Sequence, residues 1–348
     1  MIKFFNKHTK LFVAAFVVAL ISFGVYSHPT ANKSGVQVAY TTQAKPHAFA
    51  LRKGAKLYTD VHLSKTVSTK QFGNTPWYRN QAAKLIYGGK AKVVYRVTNS
   101  DNKHTYWVLK SQVKNITAKS YHIKLAAAGT KFTGKRIGVF GDSIPAGWDG
   151  YHFYLNSSYP DWTAKYLGTN TKVENFACPS GRIVGNRYAY LGITLVPQDL
   201  SAAIKAHKTA IKHMNMIFVH IGTNDYTSYS NSGSLKNVIR HLRYNIRVIK
   251  KLNPSAKVYG ILPISRYDLN GMNRDSMSDM YGYTYHDLRV AEAKAYKSLG
   301  AKVVNFNQFA PHIITNENKD VTLEDHEIHP TPQTAQKLGY ALAKELIK

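Results

Sequence analysis

A mostly apolar run at residues 136–140 leads into Gly141-Asp142-Ser143, and a helical pattern follows it. An apolar run that stops at a glycine predicts a short buried strand followed by a sharp turn. Gly141 permits such a turn because a residue without a Cβ adopts backbone conformations that other residues avoid. The pattern therefore predicts a serine at the C-terminal end of a strand, where open α/β sheets place their functional residues.

Four more apolar strands are predicted downstream, near residues 173–177, 216–221, 257–262 and 302–306. Helical stretches lie between them. From Leu235 to Ile249, apolar residues recur at the spacing of an amphipathic helix, and a last helical pattern covers about residues 332–347. Strands that alternate with helices predict a parallel sheet with crossover helices, so the expected fold class is α/β.

Three further motifs accompany the serine turn. Cys-Pro-Ser-Gly occupies residues 178–181, Gly-Thr-Asn-Asp occupies residues 222–225, and His-Pro-Thr occupies residues 329–331. Together these motifs resemble the SGNH (GDSL-type) hydrolase family over about residues 134–348, and the Gly-Thr-Asn-Asp motif is the most specific part. The resemblance implies a three-layer α/β/α sandwich with a parallel sheet.

The resemblance also implies a role for each marker residue. Ser143 corresponds to the nucleophile, and His329 corresponds to the general base that takes the hydroxyl proton. The backbone N–H groups of Ser143 and Gly181 and the side chain of Asn224 correspond to the oxyanion-hole donors. Donors that are fixed in advance stabilise the charge on the tetrahedral intermediate of ester cleavage. Asp225 is expected to hold its loop by accepting N–H bonds.

One position departs from the family pattern. The family places an aspartate three residues before the histidine, whereas this chain has His326 there and Asp325 one residue earlier. Either the loop is adjusted so that Asp325 reaches His329, or Ser143 and His329 form a dyad that a backbone carbonyl orients. A dyad is chemically tolerable because the third member of a triad positions the base. We favour Asp325 as the orienting residue.

Neither a metal nor a cofactor is expected. The segment His-Glu-Ile-His at residues 326–329 has one residue too few between its glutamate and second histidine for a zinc-protease motif. The sequence contains no glycine-rich phosphate loop of the Walker or dinucleotide type. Cys178 is the one cysteine, so the chain forms no internal disulfide, and we interpret it as a small packed residue.

Residues 35–118 are predicted to form a small basic β domain ahead of the hydrolase-like domain at 134–348. They contain 14 lysines and arginines and 2 acidic residues. Two β-rich runs flank a turn at residues 99–103, which predicts a hairpin. The order of strands resembles bacterial Src-homology-3-like or GW-type cell-wall-binding modules, which implies a small β-barrel-like domain. We interpret its aromatic residues as core, with a ligand-binding platform as the alternative.

The N-terminus, residues 1–31, has the pattern of a secretory signal peptide. Three lysines precede an apolar run from Leu11 to Val25, which is shorter than the ~20 residues of a membrane span. An uncleaved N-terminal anchor is the alternative. Export without disulfides is typical of a Gram-positive bacterium, because exported animal and plant proteins more often carry them. We therefore expect a secreted or cell-wall-associated protein.

The formal net charge of +28 predicts a polyanionic partner. Outside a cell, the candidates are an anionic wall polymer such as teichoic acid and anionic lipid headgroups. A charge that serves only solubility or an acidic milieu is the alternative. Nucleic acid is not expected, because the chain combines an export pattern with no nucleic-acid-binding motif.

Loops at residues 148–154 and 267–285 contain aromatic and methionine side chains and are expected to select the substrate. No long apolar lid is evident, which favours a short-acyl esterase over a lipase. We therefore expect an exported serine esterase that removes O-acetyl groups from a cell-surface glycan. Two alternatives stay open: a secreted lipase or lysophospholipase, and a non-catalytic cell-wall-binding protein.

Overall fold

The computed structural model describes residues 35–99, 103–116, 123–153, 156–226 and 230–348. The predicted signal peptide lies outside the described residues, as do the tip of the predicted turn, residues 100–102, and residues 117–122 ahead of the hydrolase-like domain. Contacts within the chain divide it into two compact units, Met1–His122 and Ile123–Lys348.

The first unit is built on an antiparallel sheet of seven strands. The strands are β1 (Gln37–Leu51), β2 (Leu57–Tyr58), β3 (Thr66–Val67), β4 (Trp77–Tyr87), β5 (Lys90–Asn99), β6 (Thr105–Leu109) and β7 (Val113–Asn115). Their order across the sheet is β3-β2-β6-β5-β4-β1-β7. The predicted hairpin around residues 99–103 is formed by β5 and β6, which pair antiparallel.

Aromatic side chains fill the interior of this unit. Trp77 and Leu57 are completely buried, and the ring of Phe72 meets Trp77 edge-on with 5.2 Å between centroids. Trp107 is buried in a second cluster with Leu85. Burial of large aromatic surfaces contributes strongly to the stability of a small domain, so these residues are core, as interpreted from the sequence. The sheet is compatible with the predicted small β-barrel-like domain.

The second unit contains the predicted parallel sheet and a separate two-stranded hairpin. Its strands are β8 (Ile137–Gly141), β9 (Glu174–Asn175), β10 (Tyr188–Leu191), β11 (Thr194–Pro197), β12 (Met216–His220), β13 (Lys257–Ile261) and β14 (Lys302–Val304). The sheet order is β14-β13-β12-β8-β9, and every neighbouring pair is parallel. Both β8 and β12 are buried throughout, which explains their continuous apolar runs. The parallel α/β sheet is thus confirmed.

Helices cover both faces of this sheet. They are α1 (Ser143–Ala146), α2 (Tyr159–Leu167), α3 (Leu200–Ala206), α4 (Lys208–Ile211), α5 (Leu235–Leu252), α6 (Tyr285–Ser298), α7 (Phe306–Phe309), α8 (Lys319–Thr322) and α9 (Pro332–Ile347). Ile217 and Val219 of β12 share a core with Leu242 of α5, whereas His220 meets Tyr159 of α2 on the other face. Among the described residues, no helix is long and apolar enough to cross a membrane.

The register of the sheet determines where the loops meet. His220 at the end of β12 pairs with Gly141 at the end of β8, and β9 continues the sheet beside β8. Because parallel strands end at the same edge, the loops that follow these three strands lie together. The motifs that follow β8, β9 and β12 in the sequence therefore lie at this edge of the sheet.

Candidate active site

Ser143 is the first residue of α1, and only Asp142 separates it from the end of β8. A Cβ at Gly141 would collide with the backbone carbonyl of His220, so only glycine lets β8 turn this close to β12. Asp142 caps the new helix, since its Oδ1 accepts the N–H of Ile144 at 3.1 Å. The strand, the glycine and the cap together deliver Ser143 to the edge of the sheet.

His329 reaches Ser143 across 186 positions of sequence. Its Nε2 lies 2.8 Å from Ser143 Oγ, and its Nδ1 lies 2.6 Å from Asp325 Oδ2. A neutral imidazole that donates from Nδ1 to a carboxylate accepts at Nε2 from the serine hydroxyl. The structure therefore brings together the three side chains of a Ser-His-Asp triad, and the orienting partner of His329 is Asp325 and not a backbone carbonyl.

The second carboxylate oxygen explains how an aspartate four residues before the histidine reaches it. Asp325 Oδ1 accepts the backbone N–H groups of residues 327–329 at 3.0, 2.9 and 2.9 Å. His326 adopts a φ of +61° in the left-handed region, which accommodates the additional residue in the turn. His326 itself occupies the family's aspartate position, and its Nδ1 lies 3.6 Å from Asp320.

Asp325 is held as a carboxylate. Burial alone would raise its pKa, but the hydrogen bond with His329 and the backbone N–H donors outweigh burial and lower the pKa to about 2. A carboxylate at this place keeps the His329 ring in the tautomer that accepts from serine, and it stabilises the imidazolium formed after proton transfer.

Two of the three predicted oxyanion donors, Gly181 and Asn224, lie on loops that are bonded to each other, whereas the N–H of Ser143 lies at the start of α1. Asn224 Nδ2 donates to the carbonyl of Gly181 at 3.0 Å, which uses one of its two hydrogens. The N–H of Gly181 donates to the carbonyl of Cys178 at 3.0 Å, within a tight turn in which Ser180 has a φ of +60°. Gly181 was predicted to donate its N–H to the substrate oxyanion. Because this N–H already donates to the carbonyl of Cys178, an oxyanion would have to share it with that carbonyl.

Asp225 locks the same two loops together. It is completely buried, and its carboxylate accepts the N–H groups of Ile183 and Val184 at 2.8 and 3.1 Å. The hydroxyl of Ser232 donates to it at 2.7 Å. The sequence predicted that Asp225 holds a loop through N–H bonds; the N–H groups belong to the loop of Gly181 and not to its own.

Two further residues at the site escaped the sequence analysis. Arg266 follows β13, and its guanidinium donates to the carbonyls of Thr223 and Tyr226 at 2.7 and 3.0 Å, which fixes the ends of the Asn224 loop. Gly150 has a φ of +103°, and a Cβ there would lie 3.3 Å from Asp325 Cβ and 3.5 Å from His329 Nδ1. Neither contact leaves a local signal in the sequence.

A group of buried carboxyls lies beneath the loops. Asp142, Asp225 and Glu292 are completely buried, and the side chain of Glu292 fills the space under Gly222 where a Cβ would stand. Both oxygens of Glu292 and one of Asp142 lack a hydrogen-bond partner among the described residues. Burial raises the pKa of Glu292 well above its usual value, and the charges of Asp225 and Asp142 add to this.

The predicted substrate loops are only partly exposed. In the segment 267–285, Tyr267 and Tyr283 are buried, which corrects their interpretation as substrate contacts, whereas Met272 and Met280 are exposed. Tyr151 is exposed in the loop after the serine turn, and residues 154–155 at its end lie outside the described residues.

Metal-ligating and thiol groups show no functional arrangement in this unit. Within the described ranges, no group of three or more histidine, cysteine, aspartate or glutamate residues could hold a metal ion. Cys178 is buried, and burial raises the pKa of its thiol to about 11. A thiol of this kind is unreactive, in agreement with its interpretation as a packed residue.

Comparison with known proteins places this site in a family. A family model described as GDSL-like lipase/acylhydrolase matches residues 139–337, more than half of the 348-residue chain. The matched span contains Ser143, Gly181, Asn224, Asp325 and His329. No significant match to a curated protein was found.

Solved structures share the fold at low identity. One is 18% identical, with a TM-score of 0.50 over 62% of this chain and 97% of that chain. The inhibitor-bound aryl esterase of M. smegmatis is 17% identical, with a TM-score of 0.45 over 61% of this chain and 98% of its own. A carbohydrate acetylesterase family member from Sinorhizobium meliloti is 14% identical, with a TM-score of 0.45 over 61% and 97%. At these identities the likeness concerns the fold alone.

Substituting Gly150 tests whether the space beside the triad matters. Gly150→Ala forces a Cβ against Asp325 and His329 from a backbone conformation that alanine disfavours. We expect kcat/KM for p-nitrophenyl acetate to fall about 10- to 100-fold, since small misplacements of catalytic groups have effects of that size. The matched control is Gly282→Ala, because Gly282 also has a positive φ but nothing within 4 Å of its Cβ position. Equal losses in both variants would contradict this account.

The buried carboxyl at Asp142 predicts a dependence of stability on pH. Burial raises the pKa of Asp142 from 3.8 to about 7, and the neighbouring Asp225 contributes to the rise. A raised pKa in the folded state means that the folded chain binds this proton more tightly than the unfolded chain does. The proton on Asp142 therefore stabilises the fold fully below pH 3.8, and this stabilisation is lost as the pH rises through about 7.

Asp142→Asn removes that titration while keeping an oxygen for the Ile144 N–H. Between pH 4 and 8, the free energy of unfolding of the wild type should fall relative to this variant by about 3–4 kcal/mol, at 1.36 kcal/mol per pH unit. Chemical denaturation at a series of pH values measures the difference. The exposed Asp320→Asn serves as the control, and parallel pH profiles for wild type and Asp142→Asn would rule out the raised pKa.

Proposed function

Since the chain belongs to the GDSL-like lipase/acylhydrolase family and is a carboxylic ester hydrolase, we propose that Ser143 cleaves O-acetyl esters on a cell-surface glycan. One observation carries the mechanism: an unbroken line of contacts runs from Ser143 Oγ through the His329 ring to Asp325. A serine hydroxyl becomes an effective nucleophile when a positioned base removes its proton.

The reaction proceeds in two halves. Ser143 Oγ attacks the acetyl carbonyl carbon while its proton passes to His329 Nε2 over the 2.8 Å contact. The tetrahedral intermediate collapses, the sugar oxygen leaves with the proton from His329, and an acetyl-serine remains. Water then gives a proton to His329 and attacks the acetyl-serine. As acetate leaves, His329 returns that proton to Ser143 Oγ, which restores the free enzyme. Asp325 remains ionised throughout and stabilises the imidazolium.

Three donors would hold the developing oxyanion, one on α1 and one on each of the two loops. The N–H of Ser143 stands at the start of α1, and Asn224 Nδ2 has a second hydrogen beyond the one given to Gly181. Gly181 completes the set if its N–H is shared between the oxyanion and Cys178. The bonds that Asp225 and Arg266 make to these loops keep the donors in place before substrate arrives.

Polar surroundings support a carbohydrate ester over a long-chain lipid. A cavity borders Asp325, and its lining is dominated by polar and charged side chains: Asp268, Asn270, Lys319, Asp320, His326 and Glu327. Such a lining offers hydrogen bonds to the hydroxyl groups of a sugar. The proposed substrate therefore presents a sugar to this cavity and a short acyl group to Ser143.

We place the enzyme outside the cell, at the wall of a Gram-positive bacterium. The predicted signal peptide at residues 1–31 supports export. The first unit, with 14 basic and 2 acidic residues at 35–118, would hold the enzyme on an anionic polymer such as teichoic acid. In this proposal it acts as a Src-homology-3-like or GW-type wall-binding module.

A chain-length series of p-nitrophenyl esters, from acetate to palmitate, tests the proposal. The wild type should turn over acetate fastest, and Ser143→Ala should show no turnover above background. Asp325→Asn should lower kcat by about 10⁴-fold because the histidine loses its correct tautomer. Glu317→Gln, at an exposed acid outside that cavity, is the matched control and should retain wild-type rates.

Three results would contradict parts of this proposal. Rates that rise with acyl length would identify a lipase or lysophospholipase, and turnover that survives in Ser143→Ala would exclude the assigned nucleophile. Glycan O-acetylation that is the same with and without the enzyme would exclude the assigned substrate.

A further inference from the structure

A two-stranded arm projects apolar side chains from the second unit. The strands β10 and β11 pair only with each other, joined by Gly192 and Ile193, and belong to no larger sheet of the described chain. We call residues 188–197 the apolar arm. Tyr190, Ile193 and Leu195 are 71%, 70% and 54% exposed.

Three of the exposed apolar side chains share one face of the hairpin. Tyr190 pairs directly with Leu195 across the strands, and Tyr188 lies two positions away on the same face. Ile193 stands at the tip, and Leu191 is exposed beside it. Five large exposed apolar side chains within eight residues are a grouping that soluble surfaces rarely leave uncovered.

The base of the arm is rigid and attached to the active site. Asp199 is completely buried and accepts the backbone N–H groups of Arg182 and Arg187 at 3.1 and 2.8 Å. The guanidinium of Arg187 also bonds Asp199 at 2.7 Å and the carbonyl of Ser180 at 2.8 Å. Gln198 donates to the carbonyl of Pro179 at 2.8 Å. Whatever the arm binds is therefore held next to the loop of Gly181.

The charges around the apolar arm indicate what it binds. The arm contains no acidic residue, and the one acid within residues 181–213 is the buried Asp199. Three exposed lysines, Lys205, Lys208 and Lys212, follow on α3, α4 and the turn after α4, and α3 packs against β11. Apolar and tyrosine side chains flanked by cations are the combination that binds the interface of an anionic bilayer.

We infer that the apolar arm inserts its tip into an anionic lipid surface and holds the active site beside it. A second copy of this chain is the competing occupant, but two chains that each carry a formal charge of +28 repel one another. The enzyme would lie on this lipid surface with either a glycan ester or a lipid ester as its substrate.

A label at the tip tests the inference in the full chain. Cys178 is the one native cysteine and is buried, so Ile193→Cys accepts an environment-sensitive fluorophore at the tip alone. Adding phosphatidylcholine vesicles that contain phosphatidylglycerol should raise the emission several-fold and shift it to the blue. The same label at Val321→Cys, a 71% exposed site in the same unit, should not respond.

A second pair of variants separates insertion from charge attraction alone. Tyr190→Ser with Leu195→Ser should abolish the response at position 193, whereas Tyr244→Ser with Val321→Ser, two exposed apolar residues elsewhere, should leave it intact. Turnover of p-nitrophenyl acetate should stay at the wild-type rate in every variant, which shows that each one is folded.

Several outcomes would overturn the inference. No response at position 193, or an equal response at position 321, would exclude insertion of the arm. A response that survives the Tyr190 and Leu195 substitutions would show charge attraction alone. Equal responses to vesicles of phosphatidylcholine only would exclude the choice of an anionic surface. A blue shift that grows with protein concentration and needs no vesicles would identify a second copy as the occupant.

Discussion

The carboxylate of Asp325 organises the active site through both of its oxygens. One oxygen accepts three consecutive backbone N–H groups and so folds the turn of residues 323–330, and the other fixes the ring of His329. Without the first set of bonds the histidine would not be presented to Ser143, and without the second it would not hold the required tautomer. Structure and chemistry at this edge of the sheet therefore depend on one side chain.

Asp225 performs the corresponding task on the opposite side of the serine. It ties the loop of Asn224 to the loop of Gly181 from a completely buried position. The completely buried Asp225 and the partly buried Asp325 thus hold the oxyanion donors and the base, and neither reacts. Burial and the charges of Asp225 and Asp142 raise the pKa of Glu292 well above its usual value, so a further charge beneath these loops is disfavoured.

Sequence patterns predicted the parts of the molecule that depend on local chemistry. The five parallel strands and the helices from Leu235 and Pro332 follow from apolar runs and periodicity. The position of Asp325, one residue from the family pattern, could not be resolved because it depends on the φ of His326. Gly150 and Arg266 act through contacts with distant loops. The apolar arm escaped notice because an exposed and a buried apolar strand have the same composition.

The central claim is that Ser143 is made nucleophilic by His329, which Asp325 orients. Treatment with phenylmethanesulfonyl fluoride followed by peptide mass mapping tests it directly, because an activated serine displaces fluoride and keeps the sulfonyl group. The account predicts a single modification on Ser143 in the wild type, much slower labelling in Asp325→Asn and none in His329→Ala. Labelling at another residue, or equal labelling of Ser143 in all three proteins, would contradict it.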